Sequence, residues 1–275
     1  MTIAITIRTS SAVVFAADSK LSTAGLGGYK EDGTPIWLDQ SYDNAYKVTH
    51  DKNRVLMAMV VGHANAGRVL ATDFISSSAF RETASLEDQN KEIEVLGEVI
   101  ANEISSYWET TKIEPSGWRT PTLILATASE DKRSARLWKG AFKPPKYEFT
   151  EFMESPGVDT DGTYNEVDSL LFGINWDFWA DIRKQWNISN EQGHETIKNS
   201  KVLMPIHKLN FYAMPTQDAI DLAVFLAQVQ VQMDRFLPGT AVCGGPIDVM
   251  VLQITPVPSI IEYFGKTVHH PGSRK

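Results

Sequence analysis

Thr2-Ile3-Ala4-Ile5-Thr6-Ile7-Arg8, then Thr9-Ser10-Ser11, then Ala12-Val13-Val14-Phe15-Ala16-Ala17-Asp18: strand, turn, strand, a β-hairpin that begins at the second residue. Ile3, Ile5 and Ile7 alternate with Ala4, Thr6 and Arg8, the period of a strand, whereas Ala12 to Ala17 is apolar throughout. Chain ends ordinarily fray, so a start committed to a buried sheet needs a reason. Function is one such reason.

Working outward, Ser22 to Asp43 is polar and rich in glycine (Gly25, Gly27, Gly28, Gly33), which reads as a long hairpin connection without Walker spacing. Two strands follow, Ala45 to Asp51 and Arg54 to Val61, joined by Asp51-Lys52-Asn53 and closed by Gly62. A helical pattern then carries Val69, Leu70 and Phe74, and ends near Ser78 to Ser85. Ser85 and Asp88 resemble a capping box ahead of the strongest amphipathic helix, with Ile93, Leu96, Val99, Ile100 and Ile104 at spacings of three and four.

Pro121 to Ala128, Ala135 to Trp138 and Tyr147 to Phe152 read as strands. Leu170 to Gly173 reads as a short strand feeding a helix whose aromatic residues, Trp176, Trp179 and Trp186, are assigned to the core. Asn187 to Asn210 is polar and aperiodic, an insertion or lid; Thr216 opens a long apolar helix to about Phe236, and Ile247 to Ile254 is a last strand. Strands, two helices, strands, two helices, strand: that order suits an α+β fold with two central sheets between helix layers, and no linker divides it.

Composition excludes several functions. The chain has 275 residues, 43% of them hydrophobic, enough to bury a substantial core. Its 26 Lys and Arg against 34 Asp and Glu give a net charge of -8, which argues against nucleic acid as a partner. The apolar run at Ala12 to Ala17 is too short to span a membrane, and no basic n-region of a signal peptide precedes it. The single cysteine, Cys243, forms no intrachain disulfide, so the cytoplasm is the expected location and the N-terminus the translated one, less Met1 where an aminopeptidase removes it. The six histidines are scattered without metal-ligand spacing, and no G-x-S-x-G elbow is present. No metal or organic cofactor is expected.

What remains is a constellation around the start: Thr2, Asp18 after the apolar strand, Lys47 on a later strand and Gly62 at a strand end. Here the sequence resembles proteasome β-type subunits. The resemblance lies in Thr2-Ile3-Ala4-Ile5, Val13-Val14-Phe15-Ala16-Ala17-Asp18-Ser19-Lys20, Lys47-Val48, Val60-Val61-Gly62 leading to Val69-Leu70, and Gly244-Gly245-Pro246-Ile247-Asp248-Val249. Phe15 to Lys20 and Arg54-Val55-Leu56 are similar to the bacterial Anbu group. The resemblance implies a four-layer αββα sandwich of the N-terminal-nucleophile hydrolase type, one domain over residues 1–275 with insertions near 22–43 and 187–210. It further implies a threonine-type peptidase that assembles into a ring or helical homo-oligomer.

Carried over position by position, the resemblance makes Thr2 the nucleophile once Met1 is gone, Asp18 and Lys47 its charge partners, and the Gly62 N–H an oxyanion donor. The residue types suit the chemistry: a threonine hydroxyl is a weak nucleophile, but an N-terminal amine with a pKa of about 7.7–8.0 can take its proton at neutral pH. Asn44 competes with Lys47 if the strand register slips. Where the family carries a helper serine after a short strand and a glycine, this chain offers Gly173-Ile174-Asn175, so Asn175 takes the place; Asp234 is the second helper, with Cys243 near the usual second serine. Peptide or unfolded protein is the implied substrate, with an ATPase partner left open. A non-catalytic proteasome-fold scaffold and a small-molecule amidase using Thr2 are the alternatives.

Overall fold

A strand that is apolar on both faces must be covered on both, and Ala12 to Ala17 is: every residue of it is buried. The computed structural model describes residues 2–30, 32, 34–43, 45–51, 55–63, 65–66, 69–76, 89–111, 120–198, 205–237, 241 and 243–264. Strand β1 (Ile3–Arg8) pairs antiparallel with β2 (Ala12–Asp18), Ala4 opposite Ala17 and Arg8 opposite Val13. Next come a two-stranded ribbon of β3 (Leu21–Tyr29) and β4 (Pro35–Tyr42), then β5 (Val48–Asp51) with β6 (Leu56–Gly62), then the short β7 (Asn65–Ala66) and β8 (Val69–Leu70). Helix α1 (Gln89–Thr111) leads into β9 (Pro121–Ala128), β10 (Ala135–Lys143), β11 (Lys146–Glu151) and β12 (Gly157–Gly162). The chain continues through α2 (Asn165–Phe172), α3 (Trp176–Gln185), α4 (Asn190–Lys198), α5 (Thr216–Asp234), β13 (Ile247–Gln253) and β14 (Ser259–Phe264).

Two antiparallel five-stranded sheets result, β12-β1-β2-β13-β14 and β11-β10-β9-β6-β5. Their facing sides make one core, in which Ala4, Phe15 and Met250 of the first sheet share a cluster with Met57, Met59 and Ile124 of the second. The outer side of the first sheet carries Ile3, Ile5 and Ile7, packed with Ala219, Ala223 and Leu226 of α5 and Val167 and Leu171 of α2. The outer side of the second carries Leu56, Ala58 and Val60 against Ile93, Leu96 and Ile100 of α1. Each buried Ile, Leu or Val among these is worth about 1.5–3 kcal/mol. The period of β1 is thereby explained: its isoleucines face the helices, and Ala4 and Thr6 face the other sheet.

Several expectations are corrected. Leu170 to Gly173 is the end of α2, not a strand: Val167 and Leu171 recur at helical spacing, and Gly173 caps the helix in the left-handed region at φ 71°. The aromatic side chains beyond it are not all core, because Phe178 of α3 and Trp186, just past its end, are 65% and 70% exposed. The glycine-rich Ser22 to Asp43 segment forms the β3–β4 ribbon with a bulge between Leu26 and Gly28, and α4 lies inside the aperiodic Asn187 to Asn210 stretch. The helix expected from Val69 is a 3-10 segment over Ala71–Ser76; the Ser85–Asp88 cap, Asn44 and Met1 lie outside the described residues. Among the described residues no helix is long and apolar enough to cross a membrane.

Candidate active site

Asp18 closes β2, opposite Ile247 of β13, and is 0% exposed. A buried carboxylate needs donors on both oxygens, and it has them. Oδ1 accepts from Lys47 Nζ at 2.7 Å and from the Ile3 N–H at 3.1 Å; Oδ2 accepts from the Gly244 N–H at 2.9 Å and the Lys20 N–H at 3.3 Å. One side chain therefore ties together the residue after Thr2, the lysine before β5 and the loop before β13. Lys47 is held in turn by its own carbonyl, which accepts from the Val60 N–H of β6 at 2.8 Å.

Thr2 is 2% exposed and stands immediately before β1. Its carbonyl accepts the Thr163 N–H at 2.8 Å. Gly162, the last residue of β12, lies at φ 83°, and a Cβ there would stand 1.9 Å from that same carbonyl oxygen, so only glycine lets β12 approach so closely. The hypothetical Cβ would also stand 3.2 Å from Val61 Cγ1, which puts the end of β6 beside the Thr2–Gly162 junction. Gly62 follows at φ 77° with open space where a Cβ would point.

Asp234, the last residue of α5, accepts the Cys243 N–H at 2.8 Å through Oδ2. Successive amides of one loop thus bond to two carboxylates, Cys243 to Asp234 and Gly244 to Asp18. Burial, with the charges of Asp18 and Asp234, pushes the Cys243 thiol up to about 12; the Thr163 hydroxyl beside it and the Lys47 charge oppose the shift. This thiol is a packed neutral group and not a nucleophile at neutral pH.

Thr2, Asp18, Lys47 and Asp234 are thus linked by backbone and side-chain hydrogen bonds at one end of the two sheets, with Gly62 at the rim. Asn175 is not brought there. Its side chain accepts the Phe178 N–H and caps α3, at the far end of α2, a helix of eight residues and about 12 Å, from Thr163. Thr163 is the residue that sequence reasoning missed. The order sought at Gly173, a short strand, a glycine and then a hydrogen-bonding residue, occurs at β12, Gly162 and Thr163, and the signal was Gly162-Thr163 directly before the helical Asn165 to Phe172. Among the described residues no group of three or more His, Cys, Asp or Glu side chains is placed to hold a metal.

No protein-family model and no curated protein matches the sequence. Solved structures do. Anbu (ancestral beta-subunit) from Yersinia bercovieri is similar over 97% of this chain and 88% of its own, at 14% identity and a TM-score of 0.52. The chain shares the Anbu fold. An Anbu (Gly-1) mutant from Hyphomicrobium sp. strain MC1 is similar over 98% of this chain and 88% of its own, at 13% identity and a TM-score of 0.55. The likeness to the Anbu structures runs nearly end to end.

Proposed function

We propose that this chain is a threonine-type N-terminal-nucleophile hydrolase, a proteasome-like peptidase that works as a single domain and becomes active when Met1 is removed. The observation that carries the reading is the Asp18 carboxylate, whose Oδ1 receives both the N–H of the residue after Thr2 and the Lys47 ammonium. In this reading the freed Thr2 amine takes the proton of the Thr2 hydroxyl. The charged Lys47 nearby favours the neutral amine, because like charges oppose a second protonation. Oγ1 attacks the substrate carbonyl, the oxyanion is met by the Gly62 N–H, and the C–N bond breaks as the amine leaves with the proton held by the Thr2 nitrogen. Water then hydrolyses the ester and returns Thr2.

Asp234 and Thr163 act through position, fixing the Cys243–Gly244 loop and the Thr2 carbonyl. No cofactor takes part. The fold likeness to Anbu supports the class of chemistry, and Phe225, Met233 and Phe236, exposed on and just beyond α5, support assembly into a homo-oligomer; the single cysteine suits a reducing compartment such as the cytoplasm. The test is turnover of a peptide amide with Thr2→Ala as control. Wild-type protein one methionine lighter by intact mass should cleave, and the variant should assemble without cleaving; undiminished cleavage by the variant sinks the mechanism. The burial of Thr2 favours a second reading, a scaffold subunit without turnover, which retained Met1 on native protein would support.

A further inference from the structure

Polar side chains of both sheets meet at the β12 edge. β12 pairs with β1 so that Asp161 stands opposite Ala4 and Asp159 opposite Thr6. Paired residues share a face, and Ala4 belongs to the inter-sheet core, so both aspartates and Thr6 point between the sheets. Lys139 of β10 meets them from the second sheet, its Nζ 2.5 Å from Asp161 Oδ2 and 3.6 Å from Asp159 Oδ2. Thr6 is 1% exposed and its Oγ1 has no hydrogen-bond partner among the described residues, whereas Asp159 Oδ2 is held only loosely, by the Lys139 ammonium at 3.6 Å.

Two carboxylates against one ammonium leave the cluster one negative charge in excess. Burial raises the pKa of Asp159 and Asp161 adds to it, with Lys139 opposing. Burial alone would lower Lys139, but its bond to Asp161 and the two carboxylate charges outweigh it and its pKa is raised. The unpartnered Thr6 hydroxyl and the loosely held Asp159 Oδ2 are both oxygens able to accept. Oxygen donors with one surplus charge suit a hard cation, and the Lys139 ammonium disfavours a second double charge beside it.

We propose that this cluster binds a monovalent alkali-metal cation, sodium or potassium, between Thr6 Oγ1 and Asp159 Oδ2. The bound ion would satisfy the buried hydroxyl, balance the charge and clamp β12 to β1, the pairing that ends at the Thr2 carbonyl. The proposal does not rest on Thr2 being catalytic, because its readout is stability alone.

Melting of the intact protein is followed in rising sodium, potassium or choline chloride at matched ionic strength. Sodium or potassium should raise the midpoint saturably, by about 2–4 °C over choline at five times the dissociation constant. Thr6→Val and Asp159→Asn should each abolish that difference. Thr6→Val keeps the shape and removes a hydroxyl without a partner, so it folds. Equal responses to all three salts, or an alkali response kept in both variants, overturns the proposal.

Discussion

Lys47 Nζ and Asp18 Oδ1 stand 2.7 Å apart with both side chains withdrawn from solvent, one 5% and the other 0% exposed. Breaking a buried pair from one side costs far more than the pair contributes, because the remaining charge stays desolvated. Asp18→Ala should therefore lower the unfolding free energy by about 3–5 kcal/mol in chemical denaturation. Asp18→Asn, which keeps one acceptor oxygen, for the Ile3 amide or the Gly244 amide but not both, should cost less. Equal losses in the two variants would show that the lost charge accounts for the whole effect and that the retained hydrogen bonding adds nothing.

Two glycines with nearly the same backbone make a matched experiment. Gly162 and Gly62 lie at φ 83° and 77°, but only at Gly162 would a Cβ collide with backbone, at the Thr2 carbonyl. Gly62→Ala should cost about 1–2 kcal/mol, the strain of an L-residue in the left-handed region. Gly162→Ala adds a clash and should cost at least twice as much, measured by urea unfolding. Similar costs would mean that β12 retreats freely from β1.

Cys243 offers a test by pH. Its thiol ordinarily ionises near 9.0, whereas in the folded chain it is held up to about 12. The native state therefore keeps a proton that the unfolded state gives up, so the stability this group contributes is full below pH 9 and is lost as pH rises towards 12. Cys243→Ala should flatten that alkaline decline. At pH 8 burial keeps the native thiol protonated. An alkylating reagent should leave the native protein unlabelled and label one site per chain in denaturant; rapid native labelling contradicts this picture.

The central hairpin was legible because β2 is covered on both faces and the isoleucines of β1 all face one layer; burial wrote both patterns into the sequence. Asp18, Lys47 and Gly62 were legible because each sits at the edge of such a pattern. β12 was not, since Gly157-Val-Asp-Thr-Asp-Gly has the composition of a turn and becomes a strand only through its partner β1. Thr163 was hidden with it. Asn175 was favoured because Leu170 to Gly173 imitates a strand end, whereas the repeat of Val167 and Leu171 had already made it a helix. The aromatic stripe of α3 misled in the opposite way: hydrophobicity predicts burial only where another element arrives to cover it.

The bond from Gly244 to Asp18 joins residues 226 positions apart. During synthesis β2 lies ready long before β13, its partner on that side, exists. At 5–20 residues per second the interval is about 10–50 s. Throughout it the first strands belong to an unfinished sheet, which the arrival of Gly244 and β13 completes. On the reading that Met1 is removed, a contact made 226 residues later sets how long residue 2 stays open to that cleavage.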